Sequence, residues 1–379
     1  MNIELFAALV LSTLSIAGSA FAAETIKIGV IAERSGDYQA VGIPNYNGSR
    51  LAIKKINDAV GVTVNGKKYE LELVVADSRT DERQASLATV DLVTDKHVKF
   101  MFGAIGRLAP IVLQLTEPNK VIYFTSSSSA APQIDKSKFL ILTLPSAQVR
   151  ATLTARGLAT LFPQAKRVAM LLPQEVTTAE MQELIKKAFE GQNLQIVASE
   201  TFPQGASDLS APLTRIRSAK PDILFIGWGP DQLAPIVRTN KEVDAAPAFF
   251  SYATPCTSVQ KVGLDRPYGA NTVVGANLDS PATPAAAELA KEYREFIGEA
   301  SPSNIYAVMV NYDFYFLLAK AIEKAGSIDD TDAILKAMHE ISYDGVELKL
   351  DAANRSEYGL DFCQVEGADD QVKTFDLNP

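Results

Sequence analysis

The sequence alternates short, continuous apolar runs with longer segments of helical periodicity, and this alternation restricts the fold more than any other feature. Val121–Phe124 and Val168–Leu172, for example, are apolar at every position rather than at every second one. Strands of this kind are buried on both faces, as in parallel sheets that helices cover from both sides. The pattern therefore predicts an α/β protein with doubly wound parallel sheets.

The alternation runs through residues 24–145 and then starts again in 146–275. In the first set we predict strands at Thr25–Ile31, Tyr69–Ala76, Val98–Phe102 and Val121–Phe124, and helices at Tyr46–Asn57, Arg83–Thr94 and Leu108–Glu117. In the second set we predict strands at Val168–Leu172, Gln195–Glu200, Asp222–Gly227 and Ala248–Ser251, and helices at Thr178–Glu190, Asp208–Ala219 and Pro230–Asn240. Later, we predict helices at Pro284–Gly298, Tyr306–Ala325 and Thr331–His339, strands at Gly345–Leu350 and Gly359–Gln364, and a turn at Ala368–Gln371. Two such sets predict two lobes.

The chain is longer than two βα sets require, so we expect its late elements to return to the first lobe. Lobe 1 is predicted to comprise residues 24–145 and 279–343, and lobe 2 residues 146–275 and 348–379. The predicted crossing segments lie near Leu144–Gln148, Val273–Asp279 and Tyr343–Leu348. Loops at the carboxyl ends of the strands would face one cleft, which a three-segment hinge would close on a ligand.

The first 22 residues are predicted to be a cleavable export signal. Leu5–Ile16 is apolar but shorter than the roughly 20 residues that span a bilayer, and Ala20–Ala22 has the small-x-small pattern of a cleavage site. Met1–Glu4 lacks the usual Lys or Arg, and a buried N-terminal helix of the fold is the alternative interpretation. No Cys follows the signal to carry a lipid, so we expect a periplasmic protein without a lipid anchor.

Charge and composition narrow the classes of partner. The net charge of −9 and the pI near 5.0 argue against nucleic acid and anionic membrane surfaces. A hydrophobic content of 47% is enough for large cores without a disulfide or a metal. The two cysteines, Cys256 and Cys363, are a candidate disulfide pair in an exported protein, and a bridge requires that their Cα atoms lie within about 7 Å of each other. The alternative is two small buried apolar residues.

Several short motifs follow one another in a characteristic order. They are Ile26–Val30 with Ser35-Gly36, Gly48–Ala52, Ile56-Asn57, Asp77, Gly103, Ser126-Ser127, Pro221-Asp222 and Tyr312-Asp313. In this order and spacing, residues 24–379 resemble the type I periplasmic solute-binding proteins of the leucine/isoleucine/valine-binding class. The resemblance implies a bilobed, monomeric protein that traps a small solute and delivers it to an ABC permease and its ATPase subunits. It implies no cofactor.

The resemblance also implies that loops of both lobes contact the ligand. These loops are Ser35–Tyr38, Ala104–Leu108 and Ser126–Ala130 in lobe 1, and Gln174–Thr178, Trp228–Asp231 and Tyr252–Thr254 in lobe 2. The candidate ligand-binding residues within them are Ser35, Tyr38, Arg107, Ser126, Ser127, Ser128, Glu175, Trp228 and Tyr252.

Two of these loops favour a carboxylate ligand. Ser126–Ser129 would lie where a strand ends and a helix begins, and hydroxyls and backbone N–H groups there bind carboxylates; a loop that only caps the helix is the alternative. Arg107 offers a planar fork of donors to a carboxylate, where amino-acid binders of the family usually have a small hydroxyl residue. A guanidinium that points to solvent is the alternative for Arg107.

The loop expected to meet a ligand's ammonium group has no acidic residue. Amino-acid binders of the family tend to have one in the second lobe, but this chain has Tyr252–Pro255 there, and Glu175 or Asp231 is the alternative source. The departure favours an aromatic or short aliphatic acid without an ammonium group over an α-amino acid. Trp228, Tyr38 and Tyr252 would line its apolar part; for Trp228, packing beneath the following helix is the alternative.

The sequence gives little support to catalysis. His97 and His339, the two histidines, lie outside the predicted cleft loops, and no pair has metal-ligand spacing. Ser258–Lys261 matches S-x-x-K, but its companion motifs S-D-N and K-T-G are absent. We therefore predict a solute-binding protein and not an enzyme. A ligand-sensing module of the same fold, signalling to a receptor or regulator, is the alternative.

Overall fold

The structure is a computed structural model of the chain. It describes residues 24–36, 38–127, 134, 136–144, 147–174, 178–203, 205–227, 230–251, 270–273, 284–298, 306–341, 343, 345, 360–366 and 371–377. The predicted signal at residues 1–22 and all but the first residue of the predicted strand Gly345–Leu350 lie outside these residues, as does most of the predicted turn Ala368–Gln371.

A six-stranded sheet forms from the first part of the chain. Its strands are β1 (Glu24–Ala32), β2 (Val62–Val64), β3 (Lys67–Asp77), β4 (Phe100–Gly103), β5 (Ile122–Thr125) and β6 (Leu140–Leu142). They lie in the order β2-β3-β1-β4-β5-β6, all parallel except β2. The helices α1 (Gln39–Ala59), α2 (Glu82–Val90) and α3 (Ala109–Thr116) connect them, α2 continuing into one π-helical turn, Asp91–Asp95.

A seven-stranded sheet forms from the second part. Its strands are β7 (Arg167–Pro173), β8 (Gln195–Phe202), β9 (Ile223–Ile226), β10 (Ala248–Ser251), β11 (Ala270–Val273), β12 (Leu360–Glu366) and β13 (Gln371–Leu377). Their order is β13-β12-β11-β10-β9-β7-β8, and β12 and β13 are antiparallel to their neighbours. Its helices are α4 (Ala147–Leu161), α5 (Thr178–Glu190), α6 (Ser210–Ser218) and α7 (Pro230–Val243). Two doubly wound, mainly parallel sheets confirm the predicted fold class.

The late helices α8 (Pro284–Ile297), α9 (Tyr306–Ala325) and α10 (Thr331–His339) pack on the first sheet. Phe102 of β4 stacks between Phe124 of β5 and Tyr315 of α9, with ring centroids 4.2 and 3.9 Å apart. Where α9 crosses α1, the buried Asn311 amide donates to the Asn45 amide oxygen at 2.8 Å. One hydrophobic core therefore joins the beginning of the chain to residues 284–339.

The central strands of each sheet, such as β4 and β5 in the first and β7 and β9 in the second, are buried on both faces. The opposite face of the first sheet packs on α2 and α3, so that Phe100 and Phe102 enter one core while Met101 enters the other. In the second sheet, Met170 lies in the core with α4 and α5, and Leu171 in the core with α6 and α7. Burial on both faces explains why these central strands are largely apolar along their whole length.

Several predicted elements are confirmed with the bounds expected. Helices α5, α9 and α10 have the predicted limits, as does strand β10. The predicted start of α1 at Tyr46 is wrong, because the helix begins at Gln39 and includes Gly42 and Pro44, two residues that usually interrupt helices. Four strands, β2, β6, β11 and β13, have no counterpart among the predictions; β2, β6 and β11 are only three or four residues long.

Gly103, the last residue of β4, allows the close approach of β1 and β4. Its φ is +100°, and a Cβ there would lie 1.9 Å from the Ile31 carbonyl oxygen. Gly66, in the turn between β2 and β3, has a φ of +80° but nothing within 4 Å of a Cβ. An alanine at Gly66 would therefore add only the strain of a left-handed backbone, whereas an alanine at Gly103 would add both this strain and a steric clash with Ile31.

We expect Gly103→Ala to lower the free energy of unfolding by about 3 kcal/mol or more, against roughly 1–2 kcal/mol for Gly66→Ala. Both variants incur left-handed strain, but only Gly103→Ala forces β1 and β4 apart. Urea unfolding of the two variants measures the difference. Equal losses would show that the contact with Ile31 relaxes without cost.

Candidate functional site

Both sheets have a point at which the strand order reverses. It lies between β1 and β4 in the first sheet and between β7 and β9 in the second, since β3 and β8 lie on the far sides of β1 and β7. Loops at the carboxyl ends of such strands form the ligand-binding crevice of doubly wound folds. In the first sheet the loops after β1, β3, β4 and β5 meet at this edge, and they contain Ser35, Tyr38, Arg107, Ser126 and Ser127.

Asp77, at the end of β3, holds the loop that follows β1. Its carboxylate accepts the Ser35 hydroxyl at 2.9 Å and the backbone N–H groups of Arg34 and Arg79 at 3.1 and 2.9 Å. Burial raises the pKa of Asp77, but these hydrogen bonds outweigh it and leave the pKa below its ordinary value. Asp77 is therefore ionised near neutral pH, and the Ser35 hydroxyl donates its hydrogen bond to this carboxylate.

Thr80 connects three of the loops. Its hydroxyl accepts the Tyr38 N–H at 3.1 Å and donates to the Ser35 carbonyl oxygen at 3.1 Å. Its own carbonyl oxygen accepts a hydrogen bond from Nη2 of Arg107 at 2.9 Å. The residue itself adopts a left-handed backbone, with φ +57°. Neither Thr80 nor Asp77 was among the predicted site residues, although both hold residues that were.

Arg107 lies at the edge of this loop cluster rather than extended into solvent. Its side chain is 22% exposed, with Nε 3.9 Å from an oxygen of Glu82. Its Cζ lies 5.3 Å from the centre of the Tyr38 ring, a cation–π distance. The one hydrogen bond found among the described residues, to Thr80, uses one of the five N–H groups of a guanidinium. Arg107 can therefore donate further hydrogen bonds to an anion.

The two described serines after β5 differ in role. The buried Ser127 hydroxyl donates to the Gly106 carbonyl oxygen at 3.1 Å, which joins the β5 loop to the β4 loop. Ser126 is half-buried at the same edge. Ser127 thus shapes the loop that presents Arg107, whereas Ser126 lies beside that loop at the edge of the sheet.

The remaining predicted site residues lie outside the described part of the chain. These are Ser128, Glu175, Trp228 and Tyr252, together with Cys256. Cys363 lies in β12, opposite Asn271 of β11. At the start of α5, the Thr178 hydroxyl donates to the carbonyl oxygen of Pro173, the last residue of β7, at 2.6 Å.

A buried carboxylate, Glu33, lies directly behind the β4 loop. It follows β1, is 2% exposed, and accepts the Ile105 N–H at 3.1 Å through Oε1. Burial raises its pKa from 4.5 to about 7; the hydrogen bond from Ile105 and its own backbone oppose this, and the negative charge of Asp77 adds to it. The available sequence signal was an acidic residue immediately after a fully apolar strand end.

Neither a metal site nor a membrane span is found in the described part of the chain. Its residues contain no cluster of three or more His, Cys, Asp or Glu side chains placed to hold a metal ion. None of the helices described has both the length and the apolar character needed to cross a membrane.

The chain is similar in sequence and fold to known proteins. A model of the family described as periplasmic binding protein matches residues 25–362. The Leu/Ile/Val-binding protein BraC3 of Rhizobium johnstonii is 27% identical over 365 residues, covering 95% of this chain and 94% of that protein.

Two solved structures share the fold. One is the branched-chain amino acid transporter substrate binding protein LivJ of Streptococcus pneumoniae in complex with isoleucine, at 20% identity and a TM-score of 0.77, covering 94% of this chain and 100% of that one. The other is a solute binding protein of an ABC transporter from Rhodopseudomonas palustris HaA2 in complex with p-hydroxybenzoic acid, at 18% identity and a TM-score of 0.80, covering 94% and 98%.

The raised pKa of Glu33 predicts a pH-dependent stability. Between pH 4.5 and 7 the unfolded carboxyl is ionised while the folded one holds its proton, so unfolding free energy falls as pH rises and levels off above about 7. Glu33→Gln keeps an acceptor for Ile105 but cannot ionise. We expect its stability relative to the natural protein to increase by about 3 kcal/mol across this window.

Urea unfolding at pH 5, 6, 7 and 8 measures this difference. Glu82→Gln is the matched control, because Glu82 is an exposed carboxylate near the same loop, and we expect it to leave the pH profile unchanged. A Glu33→Gln profile parallel to that of the natural protein would contradict the prediction.

Proposed function

The chain belongs to the periplasmic binding protein family, and from this premise we propose that it is the solute-binding component of an ABC importer. Its family and relatives are substrate-binding proteins and not enzymes. The sequence relative from Rhizobium johnstonii is a Leu/Ile/Val-binding protein, and one structural neighbour belongs to an ABC transporter. On this proposal the protein works in the periplasm as a monomer, loses residues 1–22 on export, and delivers its solute to a permease with ATPase subunits.

The observation that carries this proposal is the loop cluster at the switch point of the first sheet. Tyr38, Arg107 and Ser127 come from the ends of three different strands and are linked through Thr80 and Gly106. The links fix the loops before a ligand arrives, and preorganised donors cost less entropy on binding. We assign ligand contacts in the first lobe to Tyr38, Arg107 and the serine loop, including Ser128.

The chemistry of the cluster supports a carboxylate as the ligand group. Arg107 has unused donors beside the aromatic ring of Tyr38, and Arg–carboxylate pairs form strong, charge-assisted hydrogen bonds. Structural neighbours have been solved with isoleucine and with p-hydroxybenzoic acid, and both ligands carry a carboxylate. The absence of an acid from Tyr252–Pro255 favours the second kind, an acid without an ammonium group.

The second lobe is proposed to close over this carboxylate. Its switch-point loops follow β7 and β9, where Glu175 and Trp228 lie, and Tyr252 follows β10. The chain crosses between the lobes after β6, β11 and α10, and these three crossings would act as the hinge. Lobe 1 would comprise residues 24–145 and 279–343, and lobe 2 residues 146–275 and 348–379. Closure buries the ligand between lobes, and the closed form is what the permease would recognise.

A thermal-shift screen of the mature protein against leucine, benzoate, p-hydroxybenzoate, succinate and acetamide tests the function. A ligand at about a thousandfold its Kd stabilises by roughly 4 kcal/mol, enough to raise Tm by several degrees. We expect a shift with an aromatic acid. A shift with leucine alone would reassign the ligand class, and no shift with any small acid would contradict the proposed function.

The role of Arg107 is tested separately. We expect Arg107→Ala to weaken binding of the acid found in the screen by about 10- to 100-fold, the loss of a charge-assisted hydrogen bond of about 1.5–3 kcal/mol. Arg83→Ala removes the same charge from an exposed position on α2 and serves as the matched control, with an expected change of less than about twofold. Equal affinities for both variants would remove Arg107 from the site.

A further inference from the structure

The buried carboxylate of Glu33 is joined to the Arg107 loop by a short chain of contacts. Oε1 of Glu33 accepts the N–H of Ile105, two residues before Arg107. The intervening Gly106 lies so close to Tyr38 that a Cβ there would be 3.2 Å from the phenol oxygen. Glu33 therefore contacts the same short peptide segment that carries the proposed anion-binding group.

This segment is fixed by further hydrogen bonds. The Ala104 carbonyl oxygen accepts the hydroxyls of Tyr123 and Thr125 at 3.1 and 2.9 Å, and the Gly106 carbonyl oxygen accepts the Ser127 hydroxyl at 3.1 Å. The loop cannot swing away from Glu33 without breaking these bonds. An anion bound by Arg107 would thus remain near the negative charge of an ionised Glu33.

The other ionisable groups around Glu33 do not replace it as a proton acceptor near neutral pH. Asp77, from β3, is held ionised because its pKa lies below the ordinary value, and Tyr123, from β5, is held neutral because burial raises its pKa. Arg34 follows Glu33 in the chain, and Arg107 is on the β4 loop; arginines stay protonated in proteins. Tyr38 faces the segment from the start of α1.

We propose that an anionic ligand binding at this loop cluster is accompanied by proton uptake from solvent on Glu33, which does not touch the ligand and takes up at most one proton. The carboxyl group that accepts the Ile105 N–H through Oε1 is the group that takes the proton. The inference rests on the proposed function and adds to it a coupling between solute capture and pH. It makes Glu33 a positioning residue that also adjusts the charge of the site.

The sign of the coupling follows from linkage. In the free protein the pKa of Glu33 is about 7, so the side chain is partly ionised at neutral pH. A second anion nearby raises this pKa further, and the bound form holds more protons than the free form. Affinity for an anion therefore rises as pH falls from 8 to 6. A rise of one pKa unit on binding gives a roughly fivefold change in Kd over this range.

The test is isothermal titration calorimetry with benzoate and p-hydroxybenzoate at pH 6, 7 and 8. At pH 7 the titration is repeated in phosphate and in Tris, whose different ionisation enthalpies report the number of protons taken up. The natural protein, Glu33→Gln and Glu70→Gln are compared, Glu70 being an exposed carboxylate on β3, and leucine is the comparison ligand because its ammonium group offsets its carboxylate. We expect roughly fivefold tighter binding of the acids at pH 6 than at pH 8, with fractional proton uptake at pH 7.

Glu33→Gln should bind the acids with the same Kd at all three pH values and without proton uptake, whereas Glu70→Gln should keep both effects. Binding of an acid with no pH dependence and no proton uptake by the natural protein would overturn the inference and leave the proposed function standing. So would a Glu33→Gln variant that retains both effects. If that variant does not fold, proton uptake by the natural protein decides. Binding of leucine but of neither acid would overturn this inference and leave the solute-binding function standing. Failure of both acids and of leucine to bind at every pH would overturn the proposed function and this inference with it.

Discussion

A parallel sheet has to be covered on both faces, and in the first sheet this requirement determines the course of the whole chain. The helices that follow the strands locally, α2 and α3, cover one face. The other is covered by α1 together with α8–α10, which enter only after the second sheet has received β7–β11. The stack of Phe102 between Phe124 and Tyr315 is a direct contact between the first sheet and the late helix α9. The chain then crosses once more to add β12 and β13.

Sequence patterns predicted the parts of the fold that depend on local periodicity. Helices α5 and α10 have strong amphipathic patterns, α9 is a long and largely apolar segment, and the limits of all three were predicted. The start of α1 was not predicted, because glycine and proline disfavour helices in a short stretch of sequence. Gly42 and Pro44 are nevertheless tolerated within this packed helix. The short edge strand β2 and the strand β6 depend on partners distant in sequence, and three residues carry no period that could reveal them.

For the site, fold topology predicted the place but not the supporting contacts. Ser35, Tyr38, Arg107 and Ser127 meet because parallel strands end at one edge, which can be inferred from strand order. The roles of Glu33 and Thr80 follow from which strands are neighbours and from the left-handed backbone of Thr80. No spacing in the sequence encodes such contacts. The sequence pattern thus predicts the candidate ligand contacts, such as Arg107, but not the residues that hold them in place, such as Thr80 and Glu33.

The late origin of α8–α10 has a consequence for the order of events during synthesis. Strands β1 to β6 are complete at residue 142, but one of their two hydrophobic faces receives its full cover only when residue 339 has left the ribosome. Domains generally fold as units as the chain emerges, and exposed apolar surface during this interval promotes aggregation. One face of the first sheet must therefore remain covered only by α1 while the strands β7–β11 are translated. A holding chaperone has its longest opportunity to act on this segment of the nascent chain.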